Sequence, residues 1–296
     1  MILWGIDLGG TKIEGVILAS DTKEVLFRER VATEGDQGYD HVLNQVANLI
    51  EILKSKSGLI PEKIGMGTPG STDPETGLLK NCNAVHLNGK PLKKDLEDRL
   101  QIPFTLANDA NCFALAETHM GIVQDLAPDA KVVFGVIMGS GVGGGLVVNG
   151  QIINGAHGIG GEWGHNFLDE SGGPCYCGKT GCTETVIAGP HLERFYDERS
   201  GHKKGLRQIM ADRATDPIAQ ATYDRLIHFY GKGISTIINM IDPDVIVIGG
   251  GVGNIDELYT EGLESVKKHV FNTSCQTKIL KPKLGDSAGV FGAAYL

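Results

Sequence analysis

Short apolar runs alternating with glycine-rich turns are the dominant pattern along the chain. Residues 2–7 are apolar, Leu8-Gly9-Gly10-Thr11-Lys12 reads as a tight turn, and residues 13–18 are apolar again. Short apolar runs bounded by turn residues predict buried strands. The same order returns half a chain later, as Val132–Met138, then Gly139-Ser140-Gly141-Val142-Gly143-Gly144-Gly145, then an apolar run from Leu146. Strand, glycine turn, strand, written twice, predicts an internally duplicated architecture of two similar α/β domains.

Between and after the repeats the spacing changes. Val42, Leu43, Val46, Leu49, Ile50 and Leu53 recur at helical intervals and predict a core-facing helix. Residues 63–67 predict a strand running into Thr68-Pro69-Gly70. Residues 104–107 run into Asn108-Asp109-Ala110-Asn111, with a helix expected from Cys112 to Met120. Ligands of open α/β sheets bind beyond the carboxyl ends of strands, so both junctions are candidate site loops. Residues 218–240 predict a long helix, residues 245–248 a buried strand ending in Gly249-Gly250-Gly251, and residues 285–294 a turn with a small-residue helix.

Composition narrows the class. A length of 296 residues is about two domains' worth of chain, and 41% hydrophobic residues supply a sizeable core. Lys and Arg number 27 against 36 Asp and Glu, a balance of −9 that argues against nucleic acid or an anionic membrane as partner. No apolar run approaches the ~20 residues of a membrane helix. The first residues lack the basic region and cleavage site of a signal peptide, so a cytoplasmic protein is expected. Six cysteines are too few for a disulfide scaffold, and three of them crowd into residues 175–182, which points to reduced thiols and one metal site. The 42 glycines gather at the ends of apolar runs, where backbone turns or meets a ligand, and so suggest a ligand bearing several phosphates.

Two familiar spellings fail on context. Gly139, Gly141 and Gly144 form G-x-G-x-x-G, but a strand rather than a helix follows, leaving a strand-turn-strand phosphate loop with an anion-binding backbone nest. Residues 173–180 spell G-x-x-x-x-G-K-T, yet a polar turn precedes them and Gly181 stands where a helix should begin. Cys175, Cys177 and Cys182 in the same stretch instead suit zinc, with His165 the best fourth ligand. Reduced surface cysteines are the weaker alternative, because exposed thiols are reactive. Asp109 is the sharpest catalytic candidate, as general base on an attacking hydroxyl. The residues alone leave that role and simple helix capping both open.

Assembled, these motifs resemble the ROK family of sugar kinases (repressor, open reading frame, kinase), within the actin, Hsp70 and hexokinase superfamily. The resemblance spans the chain. Asp7-Leu8-Gly9-Gly10-Thr11-Lys12 looks like its first phosphate loop and residues 139–145 its second. Gly249, Gly250 and Gly251 look like the segment beside adenosine, and Glu162-Trp163-Gly164-His165 with residues 175–184 look like its two signatures. The resemblance implies two ribonuclease-H-like domains with a cleft between them: a smaller one of residues 1–116 plus 285–296, and a larger one of residues 117–284. It implies ATP, magnesium and a structural zinc. Asp109 would be the base. Gly70, Asn83, Asn108, Glu162, His165 and Glu184 would bind sugar. Asp7, Gly9, Gly10, Thr11, Lys12, Gly139, Ser140, Gly141 and Gly143 would serve the phosphates and magnesium. His165, Cys175, Cys177 and Cys182 would hold zinc, and a homodimer is expected.

The implied reaction is phosphorylation of the 6-hydroxyl of a free hexose. Lys80-Asn81-Cys82-Asn83, Leu87-Asn88-Gly89-Lys90-Pro91-Leu92 and the 161–166 and 174–179 loops are most similar to the fructokinase or mannofructokinase branch, with mannose as a further substrate. His86 departs from that branch, where a larger aromatic is expected, and keeps N-acetylglucosamine kinase and glucokinase as alternatives. A sugar-responsive regulator is a remote alternative, since the family's repressors carry a DNA-binding segment ahead of the first phosphate loop and Asp7 is here the seventh residue.

Overall fold

A computed structural model describes residues 1–296. The first half of the chain forms β1 (Ile2–Leu8), β2 (Lys12–Ala19), β3 (Glu24–Ala32), α1 (Tyr39–Ser57) and β4 (Ile64–Thr68). A hairpin of β5 (Ser71–Thr72) and β6 (Leu79–Lys80) follows, then α2 (Leu92–Leu100), β7 (Phe104–Asn108), α3 (Asp109–His119) and α4 (Ile122–Leu126). Next come β8 (Val132–Met138), β9 (Val142–Val148), β10 (Gln151–Ile152), α5 (Thr183–Ile187), α6 (Gly189–Ser200), α7 (Leu206–Asp212) and α8 (Pro217–Ile241). The chain closes with β11 (Val245–Gly249), α9 (Gly250–Gly253), α10 (Glu261–Lys267), β12 (Lys278–Leu280) and α11 (Ala288–Ala294).

The strands make two five-stranded sheets, ordered β3-β2-β1-β4-β7 and β10-β9-β8-β11-β12. In the first, β1 and β2 are antiparallel while β1, β4 and β7 run parallel. In the second, β9 and β10 are antiparallel and β8, β11 and β12 run parallel. The duplicated grammar of the sequence is thus a duplicated sheet. One expectation shifts: β9 begins at Val142, not Leu146, so only residues 139–141 turn. The later glycines are strand residues, and a side chain on Gly144 would strike the Trp163 indole and the Phe134 ring.

Contacts divide the chain into two compact units. The first comprises Met1–Pro128, Gly145–Gly160 and Lys283–Leu296; the second comprises Asp129–Gly144 and Gly161–Pro282. In the first, the apolar stripe of α1 is wholly buried, as its spacing predicts. α11 packs closely on the sheet because β1 and β4 present Gly5 and Gly65 to it, where any side chain would collide with the α11 backbone. α3 is buried along nearly its whole length, from Ala110 to Thr118, and presses its Cys112 carbonyl onto Gly292 of α11. Its far end is tied by Glu117, fully buried, whose carboxyl group accepts the backbone N–H groups of Ile122 at 2.9 Å, Lys283 at 3.1 Å and Leu284 at 2.9 Å.

In the second unit, β8 and β11 form the buried center, and the amphipathic α8 supplies Leu226, Tyr230, Ile234 and Ile238 to the core. Asp216 caps α8, accepting from the N–H groups of Ile218 and Ala219, with Pro217 in the first turn. No helix is long and apolar enough to cross a membrane.

Replacing Glu117 with Ala strands three backbone donors away from water. Denaturant unfolding should show a loss of about 3 kcal/mol, with Glu117→Gln intermediate. A loss below about 0.5 kcal/mol would show that water replaces the carboxyl without cost.

Candidate active site

Half-buried Asp7 lies near the end of β1, just before the buried Leu8, and register places it opposite Gly67 of β4, while Thr68 pairs with Asn108 at the end of β7. The chain then enters α3. Asn108 is its cap, accepting from the N–H of Asn111 at 2.8 Å. That leaves Asp109 as the first helical residue, its side chain accepting from the N–H of Ala110 at 2.8 Å and from its own backbone N–H. The capping duty belongs to Asn108, and Asp109 is available for chemistry.

Asp7, Gly9, Gly10, Asn83 and Asp109 line one cavity of about 550 Å³ in the first unit, together with Leu8, Gly35, Asp36, Pro69, Ala84 and His86. The turn between β1 and β2 is fixed by a bond from the Gly9 N–H to the Lys12 carbonyl at 3.0 Å and by the Thr33 hydroxyl on the Gly9 carbonyl at 2.7 Å. Asp109 reaches solvent through the cavity, but the protein mass around it raises its pKa. Asp7 is pushed up to about 6, first by burial, then by the charges of Asp109 and Glu14. Two carboxyl groups that oppose each other's ionisation form a site suited to a divalent cation.

Thr11 and Lys12 lie outside that cavity lining. Lys12 is drawn to Glu14, a buried carboxylate 3.7 Å from its Nζ, which also pairs with Arg30 at 3.0 Å and with Arg28. Gly70 and Asn108 are also outside that lining. Gly70 is needed there because a side chain would strike Cys82 and the Lys80 carbonyl.

A second cavity, of about 700 Å³, lies in the second unit. Gly139, Ser140 and Gly251 line it, with Gly189, Pro190 and Glu193 from α6, Gly205, Leu206, Arg207 and Met210 at α7, and Val252, Asn254 and Ile255. Gly141, Gly143, Gly249 and Gly250 are not among its lining residues; the Gly139 N–H bonds the Gly141 carbonyl, and Gly250 has φ 85°, a conformation that favours glycine. The helix residues Glu193, Arg207 and Met210 escape sequence reading because amphipathic helices announce a core face, not a pocket wall. Pro190, opening α6 after Gly189, was the one local signal.

Glu162 precedes and His165 ends a single 3-10 turn, Trp163–His165, pinned by the Trp163 indole N–H on the Gly143 carbonyl at 3.0 Å. Glu184 opens α5 and accepts the Val142 N–H at 3.0 Å, immediately behind the 139–141 turn. The ligand atoms of His165, Cys175, Cys177 and Cys182 lie within 4.8 Å of one another. His165 Nδ1 is 3.6 Å from Cys175 Sγ, and Cys177 Sγ is 3.6 Å from Cys182 Sγ. A tetrahedral ion with sulfur at ~2.3 Å sets its ligand atoms roughly 3.7 Å apart, so this set fits zinc. The 173–180 stretch is a closed knuckle, its Cys175 N–H bonded to the Lys179 carbonyl, and no helix opens at Lys179-Thr180: Gly181 turns the chain with φ 73° before α5 begins at Thr183.

The model of the ROK family matches residues 3–296. The chain belongs to the ROK family. N-acetyl-D-glucosamine kinase of Vibrio cholerae is 35% identical over 304 residues, covering 99% of this chain and 98% of that protein. Among solved structures, the ROK hexokinase of Thermus thermophilus is 33% identical with a TM-score of 0.89, covering 100% of this chain and 97% of that one. A ROK glucokinase of Streptomyces griseus, solved with glucose and AMPPNP, is 25% identical with a TM-score of 0.77 over 99% of this chain and 98% of that one. The two sheets with their helices are accordingly the ribonuclease-H-like, actin-type fold of ROK kinases.

Two outcomes follow for this ROK protein. Metal analysis of purified protein should find about one zinc per chain, and its removal should lower the unfolding temperature; metal-free protein of full stability would overturn the zinc assignment. Activity should also fall on acidification. Asp7 and Asp109 are raised, so protonated pairs accumulate below about pH 6 and kcat/KM declines there, toward tenfold per pH unit. A profile flat down to pH 5 would remove the pair from the reaction.

Proposed function

We propose that this ROK-family sugar kinase transfers the γ-phosphoryl group of ATP to the 6-hydroxyl of N-acetylglucosamine. The observation that carries the kinase reading is Asp109, first residue of α3, lining a cavity with Asp7 and the Gly9-Gly10 turn. A carboxylate beside a phosphate-binding turn accepts the proton of an attacking hydroxyl. Asp7 would orient magnesium, which screens phosphate charge when bound. The 139–141 turn would take the β- and γ-phosphates, and the cavity walled by α6 and α7 would take the nucleoside.

Asn83, Asn108, Glu162, His165 and Glu184 would hold the sugar hydroxyls, supported by Gly70. Zinc on His165, Cys175, Cys177 and Cys182 would act structurally, keeping the Glu162 and Glu184 loops rigid. The acceptor rests on the relatives, since proteins 33–35% identical over nearly the whole chain are named N-acetyl-D-glucosamine kinases. Fructose is the second reading, favoured by residues 80–83, 87–92, 161–166 and 174–179, whose spelling resembles the fructokinase branch, while His86 departs from it. A hydroxyl lost or gained against a buried polar group shifts preference by orders of magnitude, so acceptor ranking is decisive.

Coupled ADP release should be measured with N-acetylglucosamine, fructose, mannose, glucose and N-acetylmannosamine. N-acetylglucosamine should give the highest kcat/KM, and Asp109→Asn should lose about 10²–10⁴ of the rate. Fructose leading the panel would replace the acceptor; no turnover with any sugar, or an unimpaired Asp109→Asn, would end the kinase reading.

A further inference from the structure

The cavity that holds Asp7 and Asp109 has a polar side chain that the proposed mechanism leaves unused. Asn83, Ala84 and His86 line it from a single loop, residues 82–88. That loop is closed by its own bonds. The Asn88 Oδ1 accepts the Cys82 N–H at 2.8 Å, and the Asn88 Nδ2 donates to the Cys82 carbonyl at 3.2 Å. At its stem the Leu79 N–H bonds the Lys90 carbonyl at 2.9 Å, and the Gly89 N–H bonds the Leu79 carbonyl at 2.8 Å. Leu87 ends the 3-10 turn Val85–Leu87 and is buried in the core, which anchors the loop from inside. A loop clasped in this way presents its remaining side chains from a fixed backbone.

His86, in the middle of the 3-10 turn, is exposed, and its imidazole bonds no other residue of the protein. The ring rests against a second 3-10 turn, Gly35–Gln37. A methyl group on Gly35 would stand 2.9 Å from the His86 Cε1, 3.1 Å from Nε2 and 3.9 Å from Nδ1. The approach to that turn is itself tied to the phosphate loop. Thr33 donates its N–H to the Thr11 carbonyl at 3.0 Å and its hydroxyl to the Gly9 carbonyl at 2.7 Å. The imidazole therefore lines the cavity between two fixed backbones, with its hydrogen-bonding capacity unspent.

A neutral imidazole carries one N–H donor and one acceptor nitrogen. N-acetylglucosamine differs from glucose at one position, where an acetamido group with an N–H, a carbonyl oxygen and a methyl replaces a hydroxyl. Pro69 and Ala84 line the same cavity and offer apolar surface to such a methyl. We propose that His86 is a specificity-determining residue of the acceptor site, its ring N–H donating to the carbonyl oxygen of a 2-acetamido sugar. The inference rests on the sugar-kinase reading with N-acetylglucosamine as acceptor, and it names the contact by which that sugar is told from glucose. A neutral hexose leaves the imidazole without that partner, and a polar group left unpaired against a bound substrate discriminates strongly.

Two variants address the ring separately. His86→Phe keeps an aromatic ring and deletes both nitrogens. Gly35→Ala keeps the imidazole and displaces it: Gly35 has no positive φ to oppose alanine, and the nearest atoms a methyl would meet all belong to the His86 ring. The measurement is the ratio of kcat/KM for N-acetylglucosamine to that for glucose, a comparison within one preparation that cancels any misfolded fraction. It should fall about tenfold or more in His86→Phe, chiefly through KM for the amido sugar, and by a smaller factor in Gly35→Ala. Calorimetry of N-acetylglucosamine without nucleotide should show the same order of lost affinity. A wild-type ratio in either variant would overturn the inference. So would an equal loss for both sugars, which would assign His86 to the order of its loop instead. Wild-type protein that turns over no sugar, or that ranks fructose first, fails the underlying reading and this inference with it. Wild type that leads with N-acetylglucosamine beside variants of unchanged ratio fails this inference alone.

Discussion

Two carboxyl groups, Asp7 and Asp109, are held where neither ionises at its ordinary pH, and the first unit is organised around that constraint. Asp7 is the penultimate residue of β1 and Asp109 opens α3 after β7, with β4 between the two strands. The parallel register brings both chain directions to the same sheet edge, which is why one cavity receives both side chains. Gly67 makes the pairing sterically feasible: even a methyl group there would sit 3.2 Å from Asp7 Oδ1 and 3.3 Å from Cys112 Sγ. Burial and mutual repulsion are unfavourable for the charged pair, and a divalent cation would relieve both.

The rest of the unit resists that unfavourable pair. α3, bearing Asp109, cannot slide, because Gly292 of α11 seats its first turn and Glu117 fastens its last to residues 283 and 284. α11 in turn cannot lift, because Gly5 and Gly65 admit it to van der Waals contact with β1 and β4. Glu14 extends the same logic to the neighbouring strands. Buried and adjacent to Asp7, it is tolerated because Arg28, Arg30 and Lys12 surround it. Its position also explains why Lys12, expected beside phosphate, is turned toward a carboxylate.

Much of this was legible in the letters. Strand-turn-strand repeats, the α1 stripe, the junctions at Asn108-Asp109 and the Cys175-Cys177-Cys182 spacing are local patterns, and local patterns survive folding. What escaped depends on register or on tertiary approach. Glu14 reads as an ordinary strand residue until pairing places Arg30 opposite it and Arg28 diagonally. Glu117 reads as a surface position on a helix, since nothing local says that residues 283 and 284 will offer it their N–H groups. Gly144 reads as part of a turn until Trp163 and Phe134 arrive. Glu193, Arg207 and Met210 belong to helices whose polar faces happen to border a cavity.

Glycine shows why spelling and meaning separate. In the 139–141 turn it leaves backbone N–H groups uncovered, which suits an anion. In the 173–181 knuckle the glycines do the reverse. Gly173, Gly178 and Gly181 adopt positive φ of 70°, 86° and 73°, bending the chain back so that thiols from both arms converge and the N–H groups are consumed internally. A loop that spends the N–H groups of Gly173, Cys175, Gly178 and Gly181 on its own closure is not an open cradle for a phosphate, whatever consensus its letters match. It has rigidity instead. Rigidity is what the adjoining residues require, since Glu162 and Glu184 enter and leave this segment on 3-10 and helical turns too short to be stable alone. A closed knuckle supplies from one side the order that the buried Trp163 supplies from the other.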